Sequence, residues 1–261
     1  SIRSLSELWK VKAKTIQYIK MDNIDDYSYL NKGLLVAGNF SGDEVPPNQW
    51  PVTPVWTSKW LQDRLYDFGY DQVDTTFFHQ ENYQDGDVNP LIASAWNSGV
   101  GVINYRGWGD ANGWHKPYFH KEEVSELFNG WKLPIVFSFV CNTGDFGNDY
   151  GVVGLPQCFG EVMTIEGASF NSPRGAAAMV GPSDLDTDTK YNNVICAAMW
   201  DNLLEENVYE LAPALHSGKQ SLIDEFPGNL YQAEFYHHVY GTIGDPSIPV
   251  WIGEPKQLTS D

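Results

Sequence analysis

Residues Leu133 to Asn148 read LPIVFSFVCNTGDFGN, a nearly unbroken apolar run from Leu133 to Val140 that opens at Cys141 onto a Gly- and Asp-rich polar stretch. A run this short, rich in β-branched and aromatic residues, predicts a strand buried on both faces, as in a parallel sheet covered by helices. Cys141 then stands at the strand's carboxyl edge, where open α/β sheets meet their ligands. A thiol there, followed by loop amides that line an oxyanion site, has the placement of a nucleophile. The competing reading is an inert core thiol, the commoner role for a lone cysteine.

Working outward, the same grammar repeats. Gly33–Gly38 (GLLVAG), Val73–Phe78, Val100–Tyr105 (VGVINY) and Ala176–Val180 read as further strands. Between them, helices are predicted around Leu61, Leu65 and Phe68, stopped by Gly69, and from Asn89 as N-cap through Pro90 to Gly99. Others follow over Lys121–Asn129, Cys158–Thr164, Lys190–Glu206 and Val208–Glu225. Ser4 and Glu7 have capping-box spacing, and Leu5, Leu8, Trp9, Ile16 and Ile19 follow at roughly helical intervals, which predicts an amphipathic first helix. The alternation implies a three-layer α/β sandwich with a mostly parallel central sheet. With no internal repeat and no clear linker, residues 1–261 are expected to form one domain.

Composition narrows the partners. At 42% apolar and 14% aromatic content, the chain buries a sizeable core and is not disordered as a whole. With 34 acidic against 16 basic residues, a formal charge of −18 repels phosphate backbones and anionic headgroups, so nucleic acid is excluded as an expected partner. No apolar run is long enough for a membrane span, so membrane insertion is not expected. A basic peptide or Ca²⁺ is compatible with this balance without being demanded by it. Three cysteines, Cys141, Cys158 and Cys196, are too few and too odd in number for a disulfide framework. The start at Ser1, with neither a Met nor a leader, reads as a trimmed or processed piece of a longer chain. Ten tryptophans, Trp56, Trp60 and Trp131 among them, lack regular spacing and read as core and pocket packing, not a carbohydrate platform.

Several motifs then fall in register. Asn104-Tyr105, Gly107, Gly109 and Trp114 are followed by Leu133–Phe146, Pro156–Glu161 (PQCFGE), Gly175–Gly181 (GAAAMVG) and Gly244–Ser247 (GDPS). In this order, over about residues 100–250, they resemble the catalytic core of the gingipain family, the C25 type of cysteine peptidase. The resemblance implies a caspase-like fold, a thiolate nucleophile at Cys141, peptide or protein substrates, and a bacterial-type secreted or cell-surface protein. No cofactor is implied as required. It also implies a proton-shuttling histidine at the centre of a G-H-G motif, and here this chain departs: Trp108 stands between Gly107 and Gly109. An indole offers only an N–H donor and cannot take the proton.

His115, just past Trp114 on the same loop, is the expected replacement base, with His120 second. Amides around Gly107, Trp108, Gly109, Cys141 and Asn142 are the candidate oxyanion donors, while Trp114, Asp184 and Asp186 are candidates for the substrate pocket. Asp184, Asp186 and Asp188 (DLDTD) alternate as carboxylates that share a Ca²⁺ do, although the spacing fails the EF-hand pattern and a solvated loop competes with that reading. Asp43 and Glu44 are weaker candidates to orient a histidine. The expectation is an endopeptidase in which Cys141 attacks and His115 shuttles the proton. The alternatives are a catalytically silent homologue that binds peptides in the same cleft and a related transpeptidase.

Overall fold

A computed structural model describes residues 2–39, 53–78, 90–147, 156–168 and 172–255. In chain order the elements are α1 (Leu5–Lys20), a 3₁₀ turn (Ser28–Asn31), β1 (Lys32–Gly38), α2 (Thr53–Phe68), β2 (Gln72–Phe78), α3 (Pro90–Ser98) and β3 (Val102–Arg106). A short meander follows, β4 (Gly109–Asp110), β5 (Gly113–His115) and β6 (Tyr118–His120), then α4 (Lys121–Ser125) and β7 (Ile135–Phe139). The chain continues through α5 (Phe159–Ile165), the hairpin β8 (Gly167–Ala168) and β9 (Ser172–Pro173), and β10 (Ala178–Pro182). It closes with α6 (Thr189–Leu204), α7 (Leu211–Glu225), α8 (Leu230–Val239) and β11 (Tyr240–Ile243).

The central sheet runs β11-β10-β7-β3-β1-β2, parallel throughout except for the antiparallel edge strand β11. Its four inner strands are buried on both sides because their residues alternate between two apolar layers. Leu35, Val102, Phe137, Phe139 and Val180 join Leu61, Trp200, Leu215 and Tyr236 from α2, α6, α7 and α8. Leu34, Val36, Ile103, Tyr105 and Val136 join Trp96, Val124 and Val162 from α3, α4 and α5, together with Trp114 and Phe119 of the meander. The fold is thus the expected mostly parallel α/β sandwich, with Cys141 two residues beyond the end of β7.

Two expectations are corrected. The apolar stripe predicted to bury α1 faces outward: Leu5 is 76% and Trp9 56% exposed, and Leu8, Ile16 and Ile19 are exposed with them. The inward face carries Ala13, Lys14, Thr15 and Tyr18. Lys14 donates to the Met163 carbonyl at 2.9 Å, and burial pulls its ammonium down to about 7. Second, the helix read over Lys121–Asn129 stops at Ser125. Asn129 instead donates to the Lys132 and Gly175 carbonyls and accepts from the Gly175 amide, which ties this stretch to the approach of β10. Asn89, read as the N-cap of α3, lies outside the described residues, as do Asp43 and Glu44.

Candidate active site

The site is built where β3 and β7 end side by side, with Arg106 paired to Phe139 in register. Gly107 follows β3 at φ 156°, and an added Cβ would lie 2.8 Å from the Tyr105 hydroxyl oxygen. At Gly109 an added Cβ would lie 2.9 Å from the Gly113 carbonyl and 3.2 Å from side-chain atoms of both Val140 and Thr143. Both glycines therefore serve close approach: Gly107 lets the loop close against Tyr105, Gly38 and Lys116, and Gly109 lets the meander settle on the carboxyl end of β7. The Tyr105 hydroxyl fixes the same loop by donating to the Trp108 carbonyl at 2.6 Å and lies 3.0 Å from that of Lys116.

Trp114 was expected at a substrate pocket and is instead fully buried. Its ring stacks on Tyr105 at 4.5 Å, and its indole N–H donates to the Ser138 hydroxyl at 2.9 Å. It clamps the meander to the sheet and has no surface left for a ligand. Trp114→Ala is expected to lower folding stability by about 3–5 kcal/mol, read by urea or thermal unfolding.

Strand alternation sends His115 to the opposite face of the meander from Trp114. There both ring nitrogens are engaged: Nδ1 lies 3.0 Å from His120 Nε2, and Nε2 lies 3.4 Å from an Asp110 carboxylate oxygen. The structure thus brings His115 together with Asp110 and His120. Burial, with His115 beside it, pulls the His120 imidazole down to about 4. Burial pushes the Asp110 carboxyl up, but hydrogen bonds from His115 and the Asn112 amide outweigh it and hold the group at about 2. Because the folded chain refuses a proton at His120 that the unfolded chain accepts near 6.5, stability is expected to fall as the pH drops from 6.5 through about 4. Urea titrations across that range should show the slope flattened in His120→Asn.

Cys141 itself is partly accessible. Its sulfur accepts from the Thr187 hydroxyl at 3.3 Å and lies 3.6 Å from the Thr187 carbonyl. Burial raises the thiol pKa; the Thr187 hydrogen bond and the Arg106 guanidinium act against it, while Asp184 and Asp186 add to the rise. Asn142, expected to offer an oxyanion amide, donates its backbone N–H to the Asp184 carbonyl at 3.0 Å, so that donor is committed. The residue sits in the left-handed region at φ 54°, and its buried side-chain amide has no hydrogen-bond partner on either atom. Trp108 leans over the β1–β2 side, with its ring 6.4 Å from Phe78 and the Lys116 ammonium 5.0 Å above it.

Two of the three aspartate side chains are used by the backbone. Asp184 accepts from the Asp186 amide at 2.8 Å, and Asp188 caps α6 through the Lys190 amide. Among the described residues, no group of three His, Cys, Asp or Glu side chains is placed to hold a metal ion. Nor, among them, is any helix long and apolar enough to cross a membrane. Cys158 and Cys196 are buried, with thiols pushed by burial up to about 12. Arg106 and Thr187 went unread in the sequence. A charged residue closing a strand buried on both faces was the available signal for Arg106; Thr187 gave none.

Comparison with known proteins fits this geometry. The sequence profile of Peptidase family C25 matches residues 1–251. The chain belongs to that family. Two of its C25 relatives come from Porphyromonas gingivalis. Gingipain R2 is 22% identical over 252 residues, covering 94% of this chain and 31% of the relative. Lys-gingipain is 27% identical over 281 residues, covering 99% and 15%. The chain thus spans a third or less of the length of these two. The crystal structure of the Arg specific cysteine proteinase gingipain R superposes with a TM-score of 0.79 at 20% identity, over 96% of this chain and 54% of that one, a likeness of fold.

Proposed function

We propose that this C25 chain is the nucleophile-bearing core of a cysteine peptidase acting on peptides or proteins, with Cys141 as the attacking group. The observation that carries the reading is the partly accessible sulfur at the carboxyl end of β7, hydrogen-bonded to the Thr187 hydroxyl and flanked by a buried guanidinium. The thiol loses its proton to solvent, and the sulfur adds to the scissile carbonyl carbon. Collapse breaks the C–N bond, the amine leaves with a proton from water, and a second water hydrolyses the thioester to restore the thiol. With an indole at position 108 where the motif carries an imidazole, this chemistry is slow, by roughly 10²–10⁴ against an enzyme with that base in place.

The silent, peptide-binding reading is favoured by one specific observation, the indole of Trp108 in place of the motif imidazole. An electrophilic peptide probe with mass detection separates the two. Covalent modification of Cys141 with turnover of the matching peptide supports the peptidase, whereas saturable binding without adduct or turnover supports the silent module.

A further inference from the structure

Arg106 ends β3 with a side chain only 1% exposed. Its parity is that of Asn104, which accepts from the Trp200 indole N–H in the α6 layer, and Arg106 therefore projects into that layer. Cys141 follows Phe139, a residue of the same layer, by two positions. The guanidinium and the sulfur thus leave neighbouring strands on one face of the sheet. They also share a loop: Cys141 contacts Thr187, and Arg106 donates to the Thr189 carbonyl at 3.1 Å.

The other acceptors of Arg106 are the Phe139 carbonyl and the Asn193 side-chain oxygen, and its Nε has none. Every one of these acceptors is neutral, and among the described residues no carboxylate pairs with the guanidinium. A buried cation held only by neutral groups carries a large desolvation cost, which an anion of its own relieves. The titratable groups facing it are the thiols of Cys141 and Cys196 and the phenols of Tyr236 and Tyr240. Cys196 is fully buried, and its thiol hydrogen-bonds to Asn104. The Tyr240 hydroxyl pairs with Asn192 and the Tyr236 hydroxyl with Asp188, both as neutral phenols. Cys141, by contrast, reaches solvent and can exchange its proton there. Asp184 and Asp186, on the loop after β10, also act on Cys141 and oppose a negative sulfur, while the nearby Tyr105 phenol of β3 is held neutral by burial.

We propose that Arg106 is the counter-cation of the Cys141 thiolate, a positioning residue that, with the Thr187 hydroxyl, supplies the charge stabilisation an imidazolium would otherwise provide. This rests on the reading of Cys141 as the reactive thiol. It also accounts for a strongly basic side chain at a position where the sheet is otherwise apolar.

The test is the pH profile of Cys141 alkylation by iodoacetamide between about pH 5 and pH 10 on the full chain, followed by peptide mapping so that Cys158 and Cys196 are scored separately. Arg106→Met is expected to move the midpoint upward by about one pH unit or more, which is roughly a tenfold loss of rate at pH 7. Arg106→Lys restores most of the shift, and Thr187→Val also moves the midpoint upward. A merely structural role would change unfolding without moving the midpoint. A folded Arg106→Met protein with the parent midpoint overturns the proposal. If that variant does not fold, arginine-labelled parent protein still decides: the Arg106 guanidinium resonances must titrate with the Cys141 midpoint and stop doing so in Cys141→Ser, and invariant resonances overturn the proposal. No alkylation of Cys141 in the folded parent at any pH overturns the peptidase reading itself, a result distinct from alkylation indifferent to Arg106.

Discussion

Trp108→His is expected to raise peptide turnover by about 10²–10⁴, the usual contribution of a positioned general base. Position 108 lies just beyond β3, between two glycines whose close contacts set the loop's path, and β3 borders the strand that ends before Cys141. An imidazole there would take the thiol proton and return it to the leaving amine, so the gain should appear in kcat. The pH–rate profile should acquire an ascending limb near the ordinary histidine value of about 6.5. Loss of the Phe78 and Lys116 contacts to the indole costs little, because the ring is only partly buried. Unchanged turnover in a folded Trp108→His protein would show that this loop does not deliver position 108 to the sulfur.

Cys141→Ala is expected to abolish both covalent labelling by an electrophilic peptide and any measurable turnover, a loss on the order of 10³-fold or more. Stability should change far less, because among the described residues Thr187 alone hydrogen-bonds the sulfur, which is partly solvated. Thermal unfolding within a few degrees of the parent, alongside lost labelling, is the expected combination. Residual turnover sensitive to thiol reagents in Cys141→Ala would move the chemistry to another cysteine and remove the basis of the proposed function.

Strand alternation explains what could be read in advance. The sheet strands announce themselves because apolar residues on both faces leave short continuous runs such as Ile135–Phe139, and a thiol directly after one is visible as a strand-end residue. The orientation of α1 was not legible. Leu5, Trp9 and Ile16 mark an apolar stripe, but periodicity reports a stripe and not which side meets the core, and a buried Lys14 runs against the rule that apolar faces turn inward. The meander was invisible because its strands are two or three residues long, below any window in which alternation can be counted. The neighbours of His115 were hidden for the same reason: on a strand the side its ring takes is dictated by Trp114. The edge strand β11 escaped because YGTI is short and its sheet partner is distant in sequence.

The parity of β3 has one more consequence. Tyr105 anchors the meander on one side of the sheet, while Asn104 and Arg106 are rooted among α6 residues on the other. A single strand therefore acts as a partition between two neighbourhoods that can be altered separately. Loop grafts or insertions around Asn112 would remodel the meander without disturbing the ground on which the sulfur stands, and drift along α6 would retune the sulfur while leaving the meander as it was.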